Sequence, residues 1–367
     1  MKQSATNPFT PIFGKVPAYM AGRERLSQEM QIALSSEGND PNLVSLFVGA
    51  RGTGKTAMLS MCADMAEADG WIAARITATP GMLDEIVQRI HRRAAHLIKK
   101  ESSGKLSGVG IAAIGSIEWE AAPPAELSWR SRMDNLLDQL EKCGTGLLVT
   151  VDEVDPDLDE MTTLVTSYQH FFDEGRKVAL LMAGLPYRLS ALISGKSTSF
   201  LRRAARHSFG SIGDSDVDEA LRLTMRQGGK LISGDALNVA VEAIAGFPYM
   251  LQLVGYRAWN MAGERDTVTV EDVTAAVEIA QRELDERVYE ATLFDLTSAD
   301  VAFLKAMLED DGVTSQSELS RRLGKKSGHV SKYKKRLLQQ GLIQERAKGQ
   351  LEFCLPGFRE YLIREAL

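Results

Sequence analysis

Short apolar runs alternate with helix-like stretches along the first 212 residues. The runs lie at 43–48 (LVSLFV), 71–78 (WIAARITA), 146–151 (GLLVTV), 177–184 (KVALLMAG) and, less clearly, 205–212 (ARHSFGSI). Helical patterns directly after residue 54 and near 80–100, 128–142 and 157–173 separate them. This alternation predicts a doubly wound α/β fold with a parallel sheet. Residues 105–120 partly alternate and predict a β-hairpin insertion, to which no chemistry is assigned.

The second half of the chain has two other patterns. Residues 214–291 predict consecutive helices near 215–227, 234–245, 248–262 and 270–291. From Thr297 onward come a capped helix, a helix ending at Gly324, a helix ending at Gly341, two strands around AKGQ and a closing helix. That order is typical of a winged helix. We therefore expect an α/β core at 1–212, a helical domain at 213–294 and a winged-helix domain at 295–367.

Composition narrows the class of protein. Hydrophobic residues make up 44% of the chain and charged residues 25%, as in globular proteins that bury a core. The proline-interrupted start has no apolar signal segment, and no apolar run approaches the roughly 18–20 residues that span a bilayer, so we expect no membrane contact and a cytoplasmic location. Three isolated cysteines favour packing over disulfides or zinc.

The stretch GARGTGKT follows the first apolar run and precedes a helical pattern. Its spacing, G-x-x-x-x-G-K-T, is that of a P-loop, whose backbone N–H groups surround phosphates at a helix N-terminus. Lys55 is expected to reach the β- and γ-phosphate oxygens, and the Thr56 hydroxyl to coordinate Mg²⁺. The predicted nucleotide-binding residues of this loop are Gly49, Ala50, Arg51, Gly52, Thr53, Gly54, Lys55, Thr56 and Ala57.

A second apolar strand ends in two acidic residues. GLLVTVDEVD (146–155) matches the pattern of a Walker B strand about ninety residues after the P-loop. Asp152 is predicted to bind Mg²⁺ through water, and Glu153 to orient or deprotonate the attacking water. The expected ligands are therefore ATP or ADP with Mg²⁺.

Several motifs in order resemble those of AAA+ ATPases of the archaeal replication-initiator type and related bacterial ATP-binding proteins. They are VPAYMAGRERL (16–26), GARGTGKT, LLVTVDEVD, LMAGLP (181–186) and GFPYMLQ (246–252). The resemblance implies a helical lid after the core. It also implies that Val16, Ala18 and Arg23 lie near the adenine, where Arg23 could equally be a surface residue, and that Pro248 approaches the base.

Two departures from the family pattern concern hydrolysis. The strand before Leu185 ends without the polar residue that serves as sensor 1, and Tyr249 stands where many members carry a sensor 2 arginine. Because such groups stabilise charge on the γ-phosphate, we expect slow hydrolysis.

An arginine finger remains available in SFLRRAARHSF (199–209). The resemblance implies that such a residue reaches the γ-phosphate of a neighbouring subunit, and hence a homo-oligomer. Arg203 is the first candidate, Arg202 and Arg206 are the others, and a basic surface turn is the alternative.

The formal net charge of −6 hides a basic segment. Between Arg321 and Lys348 there are ten Lys or Arg and one Glu, a balance of +9 that leaves −15 for the rest of the chain. Such a segment is either a solvated surface or a site for a polyanion.

A helical wheel places Lys332, Lys335 and Arg336 of the third helix opposite its apolar side, and Arg346 and Lys348 fall in the wing. These five residues are the predicted contacts to double-stranded DNA. The leading hypothesis is an ATP-dependent DNA-binding switch. The alternative is a signalling ATPase whose winged helix contacts protein and whose nucleotide state controls assembly.

Overall fold

The computed structural model describes residues 6–12, 14–36, 38–102, 128–294 and 296–365 of the chain, with side chains omitted at 95–102. The predicted hairpin at 105–120 lies outside these residues. In the described part, no helix has both the length and the apolar character needed to cross a membrane.

The first part of the chain forms a five-stranded sheet. Its strands are β1 (Val44–Gly49), β2 (Ile72–Thr77), β3 (Leu147–Asp152), β4 (Val178–Gly184) and β5 (Ala205–Phe209). They pair in the order β2-β3-β4-β1-β5, and every pairing is parallel. The expected doubly wound α/β fold is confirmed.

Helices cover both faces of this sheet. They are α1 (Glu24–Ser35), α2 (Lys55–Ala68), α3 (Met82–Ser102), α4 (Trp129–Lys142), α5 (Asp159–Asp173) and α6 (Pro186–Ser194). One buried cluster joins α1 and α2 to the sheet, and another joins α3 to α6 to its opposite face. All seven residues of β4 are buried, which is why this strand reads as a continuous apolar run.

A helical part follows the sheet. It contains α7 (Asp214–Gln227), α8 (Gly234–Ile244), α9 (Pro248–Met261) and α10 (Val270–Leu284), with the short parallel strands β6 (Leu231–Ile232) and β7 (Thr267–Val268) between them. A π-helical segment at Asp285–Glu290 joins α10 to α11 (Ala291–Phe294). The four expected helices are present, whereas the two-residue strands were not anticipated.

The N-terminal segment packs on this helical part. The Phe9 ring is buried against Gly255 of α9, where a Cβ atom would lie 2.2 Å from the ring. The Thr10 amide also donates to Gln252 Oε1 at 2.9 Å. The N-terminal segment thus runs from the helical part to the sheet before α1 begins.

The last part contains the predicted helices and strands and one further two-residue strand, at 314–315, that the sequence pattern did not indicate. They are α12 (Ser298–Leu308), β8 (Thr314–Ser315), α13 (Gln316–Leu323), α14 (Ser327–Gln340), β9 (Ile343–Ala347), β10 (Gln350–Phe353) and α15 (Phe358–Arg364). The strands form an antiparallel sheet in the order β8-β10-β9. Gly324 and Gly341 end α13 and α14 in the left-handed conformation, at φ +59° and +72°.

One hydrophobic cluster runs from the helical part into this last part. Tyr289 is buried in it, and its hydroxyl donates to the carbonyl of Pro356 at 2.6 Å. The boundary at 294/295 therefore remains a prediction, because apolar packing continues across it.

Arg336 stabilises the start of α12. Its Nε donates to Asp300 Oδ1 at 2.9 Å and its Nη2 to Thr297 Oγ1 at 2.9 Å. Asp300, with a side chain only 1% exposed, also accepts from the Thr297 amide at 3.1 Å in a capping box. Because this carboxylate is buried, loss of its guanidinium partner would leave an unpaired buried charge and destabilise the fold.

We predict that Arg336→Ala lowers the free energy of unfolding by about 1.5–3 kcal/mol, because it removes the charged partner of a buried carboxylate. Chemical denaturation measures it. Lys332→Ala, at an exposed position of the same helix, is the control and should change the value by less than about 0.5 kcal/mol. Equal values for the two variants would contradict the role assigned to Arg336.

Candidate nucleotide site

The P-loop lies at the carboxyl end of β1. Gly49 closes the strand beside β5, where a Cβ atom would lie 2.2 Å from the Phe209 carbonyl oxygen. Gly54, at φ +90°, precedes the first residue of α2 and turns the chain into the helix. The N–H groups of the first turn of α2 are then directed at the loop, as phosphate binding requires.

Lys55 is a buried cation at the start of α2. Its Nζ donates to the Ala50 carbonyl at 2.5 Å, and Thr53 Oγ1 donates to the same oxygen at 2.9 Å. Burial lowers the pKa of Lys55 to about 8, although the Asp152 carboxylate acts in the opposite direction. A phosphate bound in this loop would favour the protonated form of the Lys55 amine.

The two residues expected to hold Mg²⁺ lie together. Thr56 Oγ1 on α2 donates to Asp152 Oδ2 at the end of β3 at 2.5 Å. Asp152 Oδ1 accepts from the Glu153 amide at 2.9 Å. A hydroxyl and one carboxylate suit Mg²⁺, which keeps several waters and takes substrate phosphates as further ligands. The described residues contain no group of three or more His, Cys, Asp or Glu that could hold a metal ion.

Glu153 follows β3 in a strained conformation. Its φ is +52°, which is unfavourable for a residue with a Cβ atom, and its side chain is exposed. The next amide, of Val154, donates to the Ala183 carbonyl on β4 at 3.0 Å and holds the turn. Backbone strain of this kind is concentrated at functional sites.

These groups line a cavity of about 300 Å³. Its wall comes from the N-terminal segment, the P-loop, the end of β3, the start of α6 and the start of α9. The N-terminal wall includes Lys15, Pro17 and Tyr19, whereas Val16 and Ala18, which the resemblance places near the adenine, are not among its lining residues.

Arg23 also lines the cavity, and its contacts are internal. Its guanidinium carbon lies 4.8 Å from the centre of the Phe209 ring, and Nη2 donates to the Gly210 carbonyl at 3.1 Å. Burial lowers its pKa, against the influence of Asp216 and Glu24. Arg23 thus joins the segment before α1 to the end of β5.

The helical part closes the cavity over the P-loop. Phe247 packs against Gly52, where a Cβ atom would lie 2.7 Å from its ring and where φ is +76°. Pro248 and Tyr249, in the first turn of α9, line the cavity. Pro248 therefore lies at the cavity, next to the residue that contacts the glycine loop, and its approach to the adenine stays a prediction.

The end of β4 carries no polar side chain, as the sequence indicated. Gly184 pairs with Val48 of β1, and Leu185 follows it. Sequence reasoning missed Arg188, which lines the cavity from the first turn of α6 and whose Nη1 lies 3.5 Å from Asp155 Oδ2. The available signal in the sequence was that Arg188 lies one helical turn after Leu185, the first residue beyond β4.

The three candidate finger arginines lie away from this cavity. Arg202 and Arg203 are in a short turn at Ser199–Arg203, Arg206 is in β5, and all three are exposed. None of them makes an ion pair within the described parts of the chain. An exposed arginine outside its own subunit's cavity is what a contact with a neighbouring subunit requires.

The helix α14 lies beside the nucleotide cavity. At its end, a Cβ atom on Gly341 would be 2.7 Å from the Leu185 side chain. Lys335 and Arg336 line a second cavity of about 310 Å³ together with residues of the α/β core. Arg188 lines both cavities.

The remaining predicted DNA contacts are open to solvent. Lys332, Arg346 and Lys348 are exposed, whereas Arg336 is held by Asp300. Lys334, which the wheel places on the apolar side, is half-buried and donates to Glu345 Oε1 at 2.9 Å.

Comparisons with known proteins identify the fold. No curated protein matches the chain. A family model described as a domain of unknown function (DUF8462) matches residues 286–362. Among solved structures, the Walker-type ATPase PABY2304 of Pyrococcus abyssi is similar over 94% of this chain and 96% of its own, with 16% identity and a TM-score of 0.62.

Two further solved structures are also similar to the chain. Cdc6p of Pyrobaculum aerophilum matches over 97% of this chain and 98% of its own, with 16% identity and a TM-score of 0.50. The ORC2 protein of Aeropyrum pernix, solved as ADPNP–ADP complexes, matches over 96% and 95%, with 14% identity and a TM-score of 0.52. The chain therefore has the P-loop AAA+ fold.

We predict that nucleotide affinity falls as pH rises from 7 to 9. Phosphate favours the charged form of Lys55, so binding above its pKa of about 8 must take up a proton, and little uptake occurs at pH 7. Calorimetry in two buffers of different ionisation enthalpy measures the uptake. Lys55→Arg, which stays charged, should bind with no such pH dependence, and uptake that is equal at pH 7 and 8.5 would contradict the assignment.

Proposed function

We propose that the chain is an ATPase that binds ATP with Mg²⁺ and uses the bound nucleotide to control DNA binding by a C-terminal winged helix. The observation that carries this proposal is the contact between α14 and the segment after β4, beside the cavity that holds Lys55 and Asp152. Because of this contact, a structural change at the cavity would occur next to the helix that bears the basic residues.

The site residues divide the chemistry as follows. The P-loop amides and Lys55 bind the β- and γ-phosphates, and Pro248 lies on the side of the base. Thr56 and Asp152 would hold Mg²⁺, which neutralises phosphate charge when bound. Glu153, exposed to the cavity, orients or deprotonates the attacking water.

Slow hydrolysis is part of the proposal. The end of β4 offers Gly184 and Leu185, and the start of α9 offers Tyr249, so neither position supplies a cation to the γ-phosphate. Each such contact can stabilise the transition state by a few kcal/mol. A long-lived ATP state suits a switch better than a motor.

The basic surface supports DNA as the partner. In the structure Lys332, Arg346 and Lys348 are open, while Lys335 and Arg336 also face the core across the second cavity. We infer that this contact differs between the ATP-bound and the ADP-bound state, so that the nucleotide controls how much of the basic surface is available.

We expect random duplex DNA to bind in ATP at low salt, and Arg346→Glu with Lys348→Glu to lower DNA affinity at least about tenfold without changing ATP affinity. Neutralising phosphates accounts for the loss, and the slope of log affinity against log salt should fall by about 2 in magnitude. Fluorescence anisotropy at about 50 and 200 mM salt measures both quantities.

Lys305→Glu, an exposed residue of α12, is the matched control and should bind as the unmodified chain does. Absence of DNA binding in ATP at low salt would contradict the DNA proposal. It would leave the nucleotide site untouched, because ATP affinity is measured separately.

A second candidate is nucleotide-controlled assembly through protein contacts of the C-terminal part. The exposed, unpaired Arg203, placed outside the cavity of its own chain, favours it among the described residues. In such an assembly Arg203 would complete the site of a neighbour.

For this candidate we expect ATP turnover per chain to rise with protein concentration. The rise should reach a factor on the order of 10³ if the finger is fully engaged, and Arg203→Ala should abolish it. Arg222→Ala, on an exposed face of α7, is the control. Light scattering of Glu153→Gln with and without ATP reports assembly. Turnover independent of concentration, with no change in size, would contradict it.

A further inference from the structure

Arg188 occupies a position that the proposed nucleotide chemistry does not yet use. The sheet order places β4 between β3 and β1, so the segment after β4 emerges between Asp152 and the P-loop. The pairing confirms this geometry, because Gly184 lies opposite Val48 of β1 and Ala183 accepts from the amide that follows Glu153. Arg188 stands one turn into α6 from this central point.

Arg188 lines the same cavity as Lys55, Thr56, Asp152 and Glu153, and about one third of its side chain is exposed. It is thus a guanidinium within the wall that the acidic end of β3 and the glycine loop also form. A guanidinium is suited to phosphate because it donates to two oxygens in one plane.

The present partner of Arg188 holds it weakly. A single Nη1–Oδ2 distance of 3.5 Å joins it to Asp155, and both side chains are about one third exposed. Exposed pairs of this length contribute at most about 1 kcal/mol, so a phosphate oxygen can replace the carboxylate at little cost.

We propose that Arg188 leaves Asp155 to contact the terminal phosphate of a bound nucleoside triphosphate, and so distinguishes triphosphate from diphosphate. This rests on the proposed nucleotide function and adds a specificity-determining residue to it. Because Arg188 would contact the bound triphosphate itself, this contact sets nucleotide specificity and does not replace the transition-state groups that are missing at the end of β4 and at Tyr249.

The same exchange reaches the C-terminal part. Arg188 lines the second cavity with Lys335 and Arg336, and Asp155 and Asp157 lie on the core side of that cavity. When Arg188 moves to the phosphate, Asp155 loses its counter-charge, and the charge balance facing α14 changes. The exchange therefore gives the nucleotide an electrostatic route to the basic helix.

The test compares a non-hydrolysable ATP analogue and ADP, each with Mg²⁺, by calorimetry on the full chain. We expect Arg188→Ala to weaken analogue binding about tenfold or more, which equals about 1.4 kcal/mol, while ADP affinity stays within about twofold. Arg188→Lys should recover part of the loss. Asp155→Asn, which frees Arg188, should leave analogue affinity unchanged or raise it.

Two results would overturn the proposal. One is an unchanged ratio of analogue to ADP affinity in Arg188→Ala. The other is an equal loss for both nucleotides in Arg188→Ala and Asp155→Asn, as expected if the pair only braces the loop after β3. Failure of the nucleotide function itself is distinguishable, since the unmodified chain would then bind neither nucleotide.

Discussion

The parallel pairing of β4 between β1 and β3 is the constraint on which the site depends. It brings the glycine loop after β1 and the acidic turn after β3 to the same edge of the sheet, and Thr56 and Asp152 meet there at 2.5 Å. β4 is apolar along its whole length and buried on both faces, so it holds the centre of the sheet. A shift of one residue in its pairing would displace the segment after β4 relative to the two halves of the site.

Contacts around that edge close the site from two directions. The helical part places Phe247 on Gly52, and the N-terminal segment returns across the helical part through the buried Phe9 ring. Full burial of such a ring contributes about 1.5–3 kcal/mol, enough to keep the segment in place as part of the cavity wall. In the C-terminal part, Gly341 packs against Leu185. The cavity is therefore adjacent to three parts of the chain at once.

Much of this arrangement follows from local sequence. The strands are short apolar runs, and the P-loop and the acidic strand end have spacings that chemistry restricts closely, so the sheet and Lys55, Thr56 and Asp152 could be predicted. Arg188 and the pairing of Arg336 could not. A helical wheel records only the helix on which Arg336 lies, whereas its partner Asp300 is 36 residues away and meets it through tertiary packing. Arg188 acquires its position only once β4 is inserted between its neighbours.

We propose that the state of the bound nucleotide is transmitted from the cavity through α6 to α14. Hydrogen exchange of backbone amides, followed by mass spectrometry with ADP and then with a non-hydrolysable ATP analogue, measures this transmission. We expect exchange in α14 and in the first turn of α6 to differ between the analogue and ADP, while the centre of β4 stays protected in both states. Tight binding of both nucleotides with identical exchange in α14 would contradict it.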